Sequence, residues 1–168
     1  MNGIEIMKTS INLILLSLGL FAFDANAANT NFNHKGIQKG ATSTSCYHDP
    51  CAVTRIMSSE VTKKKPGYTQ LKLKAVSGYK GWDAKKTTWD HEFYTMYVNC
   101  SLKRPNLASK PNIEGTILPL GVGDNSYIPG AEYPNTILYL QACHNYNGET
   151  EKGGKKFGYN VKEADRFD

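Results

Sequence analysis

No apolar run in this 168-residue chain is long enough to cross a bilayer, which takes about 20 residues. The one substantial run, residues 11–23, falls short, and no second follows it. Heptads and internal repeats are absent as well, which excludes coiled-coil and solenoid architectures. No Gly-x-Ser-x-Gly occurs, so the exposed-serine turn of that hydrolase type is missing. Lys and Arg are absent from residues 111–151, where the only charges are Glu114, Asp124, Glu132, Glu149 and Glu151.

What is present begins with an export signature. Met7-Lys8 precedes the apolar run, and Ala25-Asn26-Ala27 follows it with small residues at the spacing a signal peptidase requires. Residues 1–27 therefore read as a cleaved signal peptide, with the mature chain starting at Ala28 and no stable membrane insertion after cleavage. Cysteine does not follow the cut site, which argues against a lipid anchor. The expected destination is the periplasm or the extracellular medium. After cleavage 19 basic residues face 13 acidic ones, and twelve of the basic ones fall in residues 52–110. An excess of this kind commonly marks a solvated face and can steer charged partners.

Cys46, Cys51, Cys100 and Cys143 all lie in the mature chain. An even number of thiols in an oxidising compartment implies disulfides, with three possible pairings. Cys46–Cys51 with Cys100–Cys143 is preferred: the first would close a turn around His48-Asp49-Pro50 and the second would join two strand ends. Crossed pairings remain open.

The rest of the chain divides into a flexible leader at 28–45, a β domain at 46–148 and a polar C-terminal tail at 149–168. Residues 52–63 suit a strand, Pro66-Gly67 a turn, and residues 69–75 alternate cleanly, with Leu71, Leu73 and Ala75 on the buried face. Residues 77–86 read as loop. Residues 88–102 are apolar on both faces and read as a central strand, so Phe93 is expected in the core, where truncation to Ala would cost about 3–5 kcal/mol. Residues 115–120 suggest an edge strand and 136–143 another buried strand. The expected fold is mainly β: an antiparallel sandwich or partly open barrel of four to six strands, stabilised by disulfides.

Three clusters invite chemistry. Cys46-Tyr47-His48-Asp49-Pro50-Cys51, with Cys143-His144, could ligate a soft metal, but export favours a disulfide-closed turn. Asp90-His91-Glu92 places the carboxylates on the strand face opposite the imidazole, which leaves no compact acid–base group. Lys152-Gly153-Gly154-Lys155-Lys156-Phe157-Gly158-Tyr159 interleaves cations and aromatics, as single-strand binders do, yet an exported chain rarely meets nucleic acid. No catalytic residue, metal ligand or cofactor is assigned, and no nucleic-acid partner is expected. Tyr79, Trp82, Tyr127 and Tyr133, with His48, are the candidate ligand contacts, because aromatic side chains in loops supply contact area at low entropic cost.

The favoured expectation is a small exported, non-catalytic binding protein with disulfide-fixed recognition loops, acting on an extracytoplasmic protein or glycan. Its format is similar to that of exported inhibitor modules. The alternatives are a secreted hydrolase using His48 or His91 and a metal-binding protein using the Cys/His clusters.

Overall fold

The structure is a computed structural model that describes residues 32–121 and 130–162. The signal-like segment and Tyr127 lie outside the described residues.

The alternation at residues 69–75 builds the centre of the fold. β2 (Cys51–Lys65) and β3 (Tyr68–Lys80) form a long antiparallel hairpin. Gly67 closes its turn at φ 68°, a conformation in which a Cβ would be strained. β1 (Thr42–Ser45) and β4 (Thr88–Ser101) pair on either side, and β5 (Asn106–Ala108) adds three residues beyond β4. The sheet order is β1-β2-β3-β4-β5, and it curls into a half-barrel. The fold is mainly β and antiparallel, as the turn signals require.

Two helices close the inner face. α1 (Tyr133–His144) packs Leu138, Tyr139, Leu140 and Cys143 against Ile56, Leu71, Leu73, Val98 and Cys100. α2 (Thr150–Phe157) lies on α1, and Gly153 permits the approach: a Cβ there would stand 2.8 Å from both Leu140 and Tyr146 side-chain carbons. Residues 136–143 are thus helical rather than the expected strand. The segment is buried on nearly every side, from Thr136 to Cys143, so its apolar residues show no stripe and periodicity cannot separate helix from strand. Pro134 in the first turn and left-handed Asn145 (φ 52°) at the C-cap mark its two ends.

The segment expected as a flexible leader contributes structure from residue 32 onward. A 3-10 turn at His34–Ile37 buries Ile37, and β1 follows. Its main role is to finish α1. Asn33 N–H donates to Cys143 O at 2.8 Å, and the His34 ring bonds Ala142 O at 2.8 Å. Asn145 N–H and Tyr146 N–H donate to Gln141 O and Leu140 O. The carbonyls of Gln141, Ala142 and Cys143, which lie in the last turn of the helix, are thereby satisfied.

The polar tail differs likewise. It supplies α2 and then Tyr159 and Val161, which are buried. Residues 160–162 are not helical. Residues 115–120 make only an isolated bridge, Ile117 to Asn106, and the edge strand is β5 instead. Residues 77–80 extend β3, which shortens the expected loop.

The disulfides are Cys46–Cys51, with Cα atoms 4.1 Å apart, and Cys100–Cys143, with Cα atoms 5.6 Å apart. The second joins β4 to α1, not strand to strand. Among the described residues no helix is long and apolar enough to cross a membrane.

β4 carries the largest correction to the expected core. Tyr94 and Met96 pack against the core, but Phe93 is 54% exposed on the outer face, with Lys74 Nζ 5.0 Å from its ring centroid. An apolar residue on both faces signals burial only when both faces are covered. Here helices cover one.

Candidate functional site

The Cys46–Cys51 turn and the loop after β3 meet at one end of the half-barrel. β2 begins at Cys51, which pairs with Lys80 at the end of β3, so the sheet register alone brings the two segments together. A specific bond then fixes them: the Trp82 backbone N–H donates to Asp49 Oδ1 at 3.0 Å. Asp49 precedes Pro50 through a cis peptide bond, within the disulfide-closed turn. A hollow of about 410 Å³ lies between Thr44, the disulfide, Lys80, Gly81 and Trp82.

The side chains displayed here are large and exposed. Trp82 is 63% exposed, Tyr79 51% and Tyr47 48%. Tyr79 is a strand residue opposite Ala52, beside the disulfide. His48 stands edge-on to Tyr47, with ring centroids 4.6 Å apart, and Tyr133 at the start of α1 lies 5.7 Å from Tyr47. Tyr47 also covers Gly130, where a Cβ would collide with its ring. The structure therefore gathers His48, Tyr79, Trp82 and Tyr133 at one end of the molecule. Tyr47 belongs with them, and its signal was its place inside the six-residue cysteine loop.

The other clusters take different roles. All four cysteines are paired. Among the described residues no group of three His, Cys, Asp or Glu is placed to hold a metal ion. Asp90, His91 and Glu92 are exposed in an irregular stretch of β4 between the residues that pair with Gly78 and Val76. Asn99, on β4, is buried: its Oδ1 accepts from Tyr68 Oη and Gln70 Nε2, and its Nδ2 donates to Asn106. That amide cluster floors a second hollow, of about 510 Å³, on the outer face.

His144 is not at the aromatic end. It stacks on Phe157 at 3.9 Å, and its Nε2 lies 2.7 Å from Tyr159 Oη. Tyr159 Oη donates to Tyr139 Oη, which bonds both the N–H and the carbonyl of Ser101. Burial, then the nearby His34, lowers the His144 pKa from 6.5 to about 4. Burial raises both tyrosines. This chain of bonds ties α1, β4 and the segment after α2 together, and its groups stay neutral at pH 7.

Two features can act on a ligand: a fixed aromatic end and an outer sheet face that, among the described residues, has no helical cover. No family model matches the chain, and no curated protein or solved structure is significantly similar to it.

Proposed function

We propose that this chain is a small exported, non-catalytic binding protein that meets an extracytoplasmic protein or glycan through its aromatic end. Two disulfides suit an oxidising, extracytoplasmic environment, and the sequence of residues 1–27 supports delivery to the periplasm or beyond. The observation that carries the reading is the Asp49–Trp82 bond between loops 33 residues apart. It fixes the Trp82 backbone to the disulfide-closed turn that displays Tyr47, next to the end of β3 that displays Tyr79. Anchors held before binding lose little entropy on contact, which is the condition for recognition by a small surface.

The test is to probe an extracytoplasmic extract and a glycan array with the disulfide-intact protein and its Trp82→Ala variant. A ligand retained by the parent and lost by the variant, at unchanged melting temperature, supports the reading. Equal retention of every captured ligand by both overturns it.

A further inference from the structure

The outer face of β2, β3 and β4 lies opposite α1, and its side chains follow a consistent pattern. Register places Arg55 opposite Val76, Lys74 opposite Thr95, Lys72 opposite Tyr97, and Gln70 opposite Asn99, all pointing away from the core. Arg55 lies over the Trp89 ring at 3.8 Å, and Lys74 caps Phe93. Lys72 pairs with Glu60 at 3.1 Å. The same face continues into the hollow floored by the amide cluster, whose rim holds Lys63, Lys103 and Arg104, the last paired with Glu114. Six cations thus meet two carboxylates across one sheet face. Adding Asp90 and Glu92 from the irregular stretch of β4 still leaves an excess of positive charge.

We infer that this outer face binds an anionic polysaccharide, one bearing carboxylates along its chain. Three features select that occupant. The face is a shallow sheet surface, matched to an extended chain rather than to a compact ligand. Its charge is complementary to a polyanion, and aromatic rings hold two of the cations, so less side-chain entropy is lost when they meet an anion. Arg55 and Lys74 each occupy one side of the Trp89 and Phe93 rings, which reduces the aromatic surface on which single-stranded nucleic acid could stack. The surface is separate from the Trp82 end, so its failure would leave the proposed function standing, and the reverse also holds.

The test uses the disulfide-intact protein and four probes at 50 and 300 mM NaCl: polygalacturonate, neutral dextran, poly-dT and polyglutamate. Polygalacturonate should bind at low salt, more tightly than the other three, and weaken at least tenfold at high salt. Arg55→Ala/Lys74→Ala should lose at least tenfold in affinity. Lys152→Ala/Lys155→Ala, which removes the same charge from α2, should change it less than threefold. Lys72→Gln/Lys74→Gln gives a second reading of the face should the Arg55 variant melt early. Absence of polygalacturonate binding at low salt overturns the inference. So does equal loss in the α2 variant, which would mean net charge alone, or tighter binding of poly-dT or polyglutamate.

Discussion

Phe93 and Tyr139 show how little residue type says about energetic role. Both are aromatic residues in apolar stretches, yet Phe93 is 54% exposed and Tyr139 is fully buried. Phe93→Ala should therefore cost about 1 kcal/mol or less, the range for surface changes, in place of the core value its sequence suggests. Tyr139→Phe keeps the ring but removes the hydroxyl that bonds Ser101 and Tyr159. It should cost about 1–3 kcal/mol, because buried partners are left unpaired. Urea melts of the two variants check the ranking. His144 adds a pH dependence with a definite sign. Its folded pKa, about 4, lies below its ordinary 6.5, so the unfolded chain binds more protons between those values. This contribution is complete above pH 6.5 and is lost as pH falls toward 4. Melting temperature should drop across that window, and His144→Asn should flatten the drop.

At the scale of elements, α1 depends on residues far from it in sequence. Cutting the chain to begin at Gly36 removes the partners of Cys143 O and Ala142 O. This should destabilise the protein by about 1–3 kcal/mol, the cost of leaving helix-end carbonyls unmet; an unchanged urea midpoint would mean that water replaces both bonds. The disulfides should rank by loop length. Cys100–Cys143 spans 43 residues and Cys46–Cys51 spans 5. Removing the first should cost about 4 kcal/mol and the second about 2 in the chain-entropy model. The hairpin shows a further device. β1 reaches β2 only as far as Thr42–Arg55, so, among the described residues, positions 58–65 of β2 form an open edge. Irregularities around Met57 and Thr62, and the lysines at 63–65, blunt that edge against pairing with other chains.

At the scale of the whole molecule, the core and the exposed aromatic end occupy different regions. The core lies between the sheet's inner face and α1, while the exposed aromatics gather at the Cys46–Cys51 end. Trp82→Ala should leave the melting temperature nearly unchanged and weaken ligand capture by at least about 1–2 kcal/mol, as for other aromatic anchors. Paired melts and capture assays measure both. The separation also explains why the aromatic end was partly legible. Trp82 and His48 stand in a loop and a cysteine-closed turn that announce themselves locally. That Asp49 binds the Trp82 backbone depends on the long hairpin returning to its starting end, which no local signal encodes.

The sequence by itself determined the mainly β class, the hairpin of β2 and β3 and the need for disulfides, because alternation, a Pro-Gly turn and an even cysteine count act over a few residues each. Tertiary structure decided the rest. It made residues 136–143 a helix, because a segment buried on all sides carries no periodic signal and its conformation follows from what packs around it. It ordered residues 32–45 by giving the Asn33 N–H and the His34 ring the open carbonyls of α1 to bond. And it turned Phe93 outward, because which face of a sheet is buried depends on where the helices lie, and the strand's own sequence does not record that.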